Sequence, residues 1–342
     1  MSRCLRGLFS IVIAALLLYL MSLSYSGMKE FQKLYEGWSV RLSAPISRDR
    51  AFEIKRYCVK NAEDIKGAWP VFWTEKSMNI QKADSKSVRA VCLLYDGDGS
   101  GIWPAEFLQG AYPGELGEDC AVSDTLSWRL WGSTDCMGKE LEMGGRKYAV
   151  TGIYKSAEAT AMAGGRGNAE WENIDIRTDE PMIRESFEVY LAAMGVSDYD
   201  TVVDGGGLGG LVKLIWAVPV CMAGAAAAAS IMSWLDNILP GEYKKWVLLS
   251  ILFIFALCLP WILSRLPPWL LPSKWSDFSF WSQLFDKLKG HVTDWFSMKP
   301  TAKDTEVKLR LLRQTALMIA EAVILILFYG RPVYGTAVRG KH

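Results

Sequence analysis

Residues 120–154, CAVSDTLSWRLWGSTDCMGKELEMGGRKYAVTGIY, carry a complete small folding unit in their order of residue types. Cys120 to Val122 is a short apolar run, long enough for the end of a buried strand. Ser123 stands where a helix N-cap belongs, and Asp124 places a carboxylate in the first turn, at the positive end of the helix dipole. Leu126 and Leu130 are four apart and share one helical face. Gly132 and Gly138 bracket the exit from that helix. Glu140 to Met143 and Lys147 to Tyr154 then read as two strands around a Gly144-Gly145 turn, a hairpin signature.

Strand, short helix, glycine and hairpin in this order resemble the C-terminal part of the extracytoplasmic core domain of MacB/FtsX-type ABC transporter permeases. That family follows an apolar strand with a Ser-acid-x-Leu-x-x-x-Leu-(Phe/Trp)-Gly helix. An (Ile/Met)-Gly-Lys step comes next, then a hairpin ending in Tyr-x-Val-x-Gly-(Val/Ile). Here the positions are Ser123, Asp124, Leu126, Leu130, Trp131 and Gly132, then Met137-Gly138-Lys139, then Tyr148, Val150, Gly152 and Ile153. The resemblance implies structural roles for Ser123, Gly132, Gly138 and Gly152.

Outward from this unit the apolar residues are unevenly spread. They make up 51% of 342 residues and concentrate at the N-terminus and after Gly210, while Met28 to Gly210 reads as water-soluble. Such asymmetry marks a membrane protein with one large soluble domain. The net charge of +1 offers no electrostatic case for nucleic acid. The expected fold class is therefore membrane α-helical, with four spans, plus an α+β extracytoplasmic domain.

Gly7 to Tyr25 is free of charge, follows Arg3 and Arg6, and has the length of about twenty apolar residues that spans a bilayer. A cleaved signal peptide is the rival reading, but Ser24-Tyr25-Ser26 is a poor cleavage site. Residues 1–27 are expected to hold a cytoplasmic end and the first span. The extracytoplasmic domain follows at 28–210, the second span at 211–235, the third at 246–266, an aromatic interfacial loop at 267–308, the fourth span at 309–330 and a cytoplasmic tail at 331–342. Lys244 and Lys245 place the loop before the third span inside. In 267–308, Trp269, Trp275, Trp281 and Trp295 suit a helix lying at the membrane surface.

Within the soluble domain, Ser47 can cap a helix reaching about Lys60, with Phe52 and Cys58 partly inward. Trp69 to Ile80 and Val88 to Tyr95 read as strands, Ile102 to Gln109 as a short helix or turn, and Ala163 to Gly167 as a loop tip. Trp171 to Ile176 alternates as a strand. Pro181 to Met194 is a helix with Ile183, Phe187, Leu191 and Met194 on one face, and Asp200 to Val203 is a last strand. Gly205 to Gly210 contains a G-x-G-x-x-G string, but a membrane segment follows directly, so a flexible joint is expected rather than a nucleotide site.

Four cysteines lie in this domain, and an even count outside the cytoplasm permits disulfides. The expected pairs are Cys120 with Cys136, flanking one short helix, and Cys58 with Cys92. Zinc has no C-x-x-C to hold it and only His291 and His342 for nitrogen ligands. Asp96-Gly-Asp-Gly-Ser-Gly101 begins like a calcium loop, but Phe107 stands where the bidentate Glu belongs, so a surface turn is expected. No nucleophile elbow, metalloprotease helix or Walker A motif is present, so no catalytic residue and no cofactor are assigned. Glu321, an ionisable group in the fourth span, is the intramembrane polar candidate.

The resemblance implies a cell-membrane permease subunit that hydrolyses nothing itself. It further implies a cytoplasmic ABC-type ATPase and a second permease copy or related permease as partners within the lipid bilayer. One departure stands out. The family's coupling loop carries a Glu-Ile-Gly-x-(Arg/Lys)-x-Ala-x-Gly-Ala pattern, and Asp236 to Lys245 is too short and lacks it. A membrane-anchored binding or assembly module without transport is the alternative.

Overall fold

Ser47 closes one element and opens the next. β1 (Trp38–Ser47) ends at it, and its hydroxyl accepts the Arg50 amide at 3.3 Å to cap α2 (Arg48–Lys60). The computed structural model describes residues 3–34, 37–61, 69–82, 86–115, 117–165, 167, 169–178, 182–238, 246, 249–250, 253, 257, 274, 279–298 and 300–329. α1 (Arg3–Leu34) precedes β1. After α2 come β2 (Trp69–Lys82), β3 (Ser87–Asp96), β4 (Phe107–Gly110) and β5 (Asp119–Ser123). Then follow α3 (Asp124–Trp131), β6 (Glu140–Met143), β7 (Arg146–Tyr154), β8 (Thr160–Gly164), β9 (Glu170–Arg177), α4 (Arg184–Ala193) and β10 (Tyr199–Asp204). Three long described helices complete the chain: α5 (Gly205–Ile238), α6 (Ser279–Ser297) and α7 (Ala302–Tyr329).

All ten described strands join one sheet in the order β10-β1-β9-β2-β3-β8-β5-β7-β4. β6 pairs with both β2 and β7, so β2, β3, β8, β5, β7 and β6 close a ring. Two of its pairings, β3 with β8 and β5 with β7, are parallel. Every strand of the ring sends side chains into one core with α3: Ile80, Cys92, Val122, Leu141, Val150 and Ala161 pack with Leu126 and Leu130. The open flank β10-β1-β9 is covered by α2 and α4, whose Ile54 and Phe187 pack on Val40, Ile174 and Val202. The unit at 119–154 forms as its residue types require. Gly144 and Gly145 both take positive φ, 60° and 75°, as a tight primed hairpin turn demands.

Elsewhere the chain departs from expectation. β1 was not anticipated. Phe52 is 63% exposed, because the inward stripe of α2 is Ala51, Ile54 and Cys58. Ile102 to Gln109 holds no helix; a 3-10 turn at Gly99–Gly101 precedes it, and β4 begins at Phe107. Ala163 and Gly164 end β8 rather than form a loop tip, since small residues let β8 lie between β3 and β5. Ile183 is the N-cap of α4 and is exposed, while Pro181 lies outside the described residues. Gly205 to Gly210 is no joint but the opening of α5. Glycine weakens a helix by about 1 kcal/mol per residue without forbidding it, and the apolar run it leads into is long.

Two compact units result. One comprises Gln32–Gly206 with Phe285–Val307; the other comprises Met1–Phe31, Gly207–Leu284 and Lys308–His342. Among the described residues, three helical stretches are long and apolar enough to cross a membrane: Ile11–Lys33, Gly205–Ser230 and Ala302–Phe328. Of the expected third span at 246–266 only residues 246, 249, 250, 253 and 257 are described; of the expected aromatic loop at 267–308, residues 274, 279–298 and 300–308 are described and carry α6 and the start of α7, and the tail at 331–342 lies outside the described residues.

Candidate functional site

Alternation along three neighbouring strands builds a polar patch on the sheet face opposite α2 and α4. In β1, Val40 and Leu42 face those helices, so Ser39 and Arg41 face away. In β9, Ile174 and Ile176 do the same and leave Asn173 and Asp175 on the other side. Phe72 leaves Trp73 and Glu75 there in β2. Register aligns them: Ser39 lies opposite Asp175, and Trp73 opposite Asn173.

The segment 301–304 docks on this patch. Lys303 Nζ donates to Asp175 Oδ2 at 2.5 Å, and Ser39 Oγ donates to Asp175 Oδ1. Arg41 donates to both Asp304 oxygens, at 2.8 and 3.3 Å, and to Ser39 Oγ at 2.7 Å. The Ala302 amide donates to Glu75 Oε2 at 2.6 Å. Arg41 and Lys303 lie 5.0 and 5.9 Å from the Trp73 ring centre, within cation–π range. Lys303 and Asp304 are 1% and 0% exposed, so these charges are removed from water.

The electrostatics are finely balanced. Two cations meet two carboxylates, and Glu75 adds a fifth charge. The Lys303 ammonium is shut from water and sits against the Asp175 carboxylate. Burial pushes the Glu75 carboxyl up, partly offset by the Ala302 amide. A bidentate Arg–carboxylate pair and a buried Lys–Asp pair fix geometry more than they add stability. The Ser39 hydroxyl and the Lys303 ammonium are both spent on the Asp175 carboxylate. The arrangement holds the start of α7 against β1, β2 and β9.

Sequence reasoning missed this site because its members are distant in the chain, and because β1 itself was overlooked. The alternation Trp38, Val40, Leu42 against Ser39, Arg41 was the available signal. A second signal was Thr301-x-x-Asp304, a capping-box pattern before an apolar helix.

The residues singled out from sequence are placed as follows. Ser123 Oγ accepts the Leu126 and Thr160 amides at 3.1 and 3.0 Å and donates to the Glu158 carbonyl at 2.9 Å. Gly132 ends α3 in the left-handed region with φ 70°. Gly138 has φ 74° and donates to the Val150 carbonyl at 2.8 Å. A side chain at Gly152 would lie 2.4 Å from the Ala111 carbonyl. Asp96 ion-pairs with Lys55 at 2.8 Å and Asp98 caps the 3-10 turn, so both carboxylates of the calcium-like turn serve the fold.

The expected disulfides are not formed. Cys58, Cys92, Cys120 and Cys136 are free and buried. Cys58 packs with Tyr190 and Met194 under α2 and α4, in a core separate from the one holding Cys92. Cys136 receives the Ser127 hydroxyl at 3.0 Å. Burial raises all four thiols, Cys92 to about 12. Each behaves as a small apolar side chain.

Glu321 belongs to the other unit. There Ile13 and Leu17 of α1 pack on Leu325 of α7, and the Gln314 amide donates to the Ser24 carbonyl. Gly27 makes room for Gln314, whose Oε1 would lie 2.3 Å from a Cβ at that position. Glu321 is 0% exposed.

No family model and no curated protein matches the sequence. Among solved structures, the chain is similar to the periplasmic region of MacB from Actinobacillus actinomycetemcomitans, at 10% identity and a TM-score of 0.41, covering 52% of this chain and 92% of that one. It is also similar to the extracellular domain of the noncanonic ABC-type transporter YknZ from Gram-positive bacteria, at 12% identity, TM-score 0.36 and coverage of 46% and 88%. A domain of a protein described as a permease, from Porphyromonas gingivalis, aligns at 15% identity, TM-score 0.34 and coverage of 48% and 83%.

Proposed function

We propose that this chain is a permease-type membrane subunit of MacB/FtsX kind, in which movement of membrane helices is passed to an extracytoplasmic sheet domain. The observation that carries it is how the chain enters the sheet. α1 ends at Leu34, just before β1 begins at Trp38. β10 runs into α5 with no residue between Asp204 and Gly205. α7 starts at the charge cluster on β1, β2 and β9. Each of the three described apolar helices is thus tied to strands of one flank, and β1 pairs with β10 from Trp38 to Leu42. A simple anchor needs one such attachment.

In this reading ATP hydrolysis belongs to a separate cytoplasmic ABC-type ATPase, and a second permease copy completes the assembly. Purification in mild detergent, with mass spectrometry of co-purifying proteins, tests it. A stoichiometric ABC-type ATPase is the expected result. Copies of the chain alone would favour the anchored binding module. The lack of the coupling pattern at Asp236 to Lys245 is the observation on that side.

A further inference from the structure

We propose that Glu321 is a proton-binding site, a carboxyl that stays protonated at neutral pH between α1 and α7. Leu311, Gln314, Met318, Glu321 and Leu325 recur at helical spacing, are all buried, and form one stripe of α7. Glu321 takes a core position in that stripe. Neither of its oxygens makes a hydrogen bond of good geometry among the described residues, and the Ser24 hydroxyl is the polar group beside them. The Ser24 hydroxyl donates to the Met21 carbonyl at 3.2 Å, and the Gln314 amide donates to the Ser24 carbonyl.

Among the described residues, the apolar stretches of α1, α5 and α7 hold no cation. The sequence has no Lys, Arg or His between Arg6 and Lys29 in α1, between Lys213 and the end of α5, or between Arg313 and the end of α7. Glu321 lies at the middle of the run Gln314 to Tyr329, which holds no other ionisable acid or base except the terminal tyrosine. An ionised carboxylate left there would be a buried charge without a counter-ion among the described residues, which is strongly unfavourable. Taking up a proton removes that charge, and a neutral acid is tolerated in an apolar setting. The inference depends on α7 lying in lipid, not on the transport reading.

The probe is dicyclohexylcarbodiimide, applied to the full chain in liposomes and read by peptide mass spectrometry. It reacts with a protonated carboxyl. The acid proton passes to one carbodiimide nitrogen as the oxygen bonds the central carbon, and acyl transfer to nitrogen gives a stable acylurea. Nothing leaves, and no other reactant is needed. Labelling at Glu321 at neutral pH is expected, falling as pH is raised, with none from a water-soluble carbodiimide. Infrared spectroscopy of the same liposomes guards against mere inaccessibility. A protonated-carboxyl band absent from Glu321→Gln is expected. Since glutamine mimics the neutral acid, that variant should unfold at the same temperature as the parent. Labelling by the water-soluble reagent, or absence of both the adduct and the band, overturns the proposal.

Discussion

Thr301 and Asp304 cap each other at the start of α7. The Asp304 amide donates to Thr301 Oγ1 at 3.2 Å, while the Thr301 amide and hydroxyl donate to Asp304 Oδ2 at 3.1 and 2.8 Å. This reciprocal box satisfies amides that a helix leaves orphaned. Because Asp304 also receives Arg41, one carboxylate both ends the helix and fastens it to β1. Loss of the Thr301 hydroxyl in Thr301→Ala is expected to cost about 0.5–2 kcal/mol, read from denaturant unfolding of the full chain in detergent.

Asp175 is the counter-charge of a lysine shut away from water. Asp175→Asn removes the carboxylate that the buried Lys303 ammonium donates to and should destabilise by about 3–5 kcal/mol. Replacing both, as Asp175→Leu with Lys303→Met, should recover most of that loss, because no buried charge is left at either position. A double variant as unstable as the single one would mean that the pair supplies stability rather than geometry.

Glu75 gives a pH signature. Its carboxyl is raised above the ordinary 4.5, chiefly by burial; the Ala302 amide and Arg41 oppose the shift, and Asp304 and Glu158 add to it. The folded chain therefore takes up this proton at higher pH than the unfolded chain does. Its contribution to stability is least favourable above the folded pKa and improves as pH falls toward 4.5. The stability of the parent relative to Glu75→Gln should rise over that descent. A difference that stays flat from neutral to acid pH would contradict the assignment.

Two glycines of the hairpin unit should fail for different reasons. At Gly132 an added Cβ meets nothing within 4 Å, so Gly132→Ala carries only left-handed backbone strain, about 1–2 kcal/mol. At Gly152 the Cβ would lie 2.4 Å from the Ala111 carbonyl and 2.7 Å from the Phe107 ring, so β4 must part from β7. Thermal unfolding should rank Gly152→Ala as the more damaging change.

The four domain cysteines should resist iodoacetamide in the native protein and alkylate fully on denaturation without reductant. Peptide mapping that finds any pair protected until reduction would restore a disulfide.

What could be read from the chain depended on range. Ser123, Gly132 and Gly144-Gly145 act on neighbours a few residues away, so the helix, its end and the hairpin were legible. The ring was not. It requires β6 to reach β2, pairing Ile80 with Met143, and nothing local to either strand encodes that. The cysteines misled for the same reason. Even number and compartment permit bridges, but Cys58 and Cys92 belong to different cores. The charge cluster joins residues 41, 75 and 175 through the sheet register and receives residue 303 from the docked start of α7, and nothing local in the chain encodes either step.

β2 has a double membership. Its first residues, Trp69 to Trp73, pair with β9 in the open flank, and its last, Ile80 to Lys82, pair with β6 in the closed ring. Glu75, which holds the first amide of α7, stands between these two stretches. β3 pairs with β2 from Phe72 to Gln81 and so ties both stretches to the ring, which makes β2 the one strand that the open flank and the closed ring hold in common among the described residues.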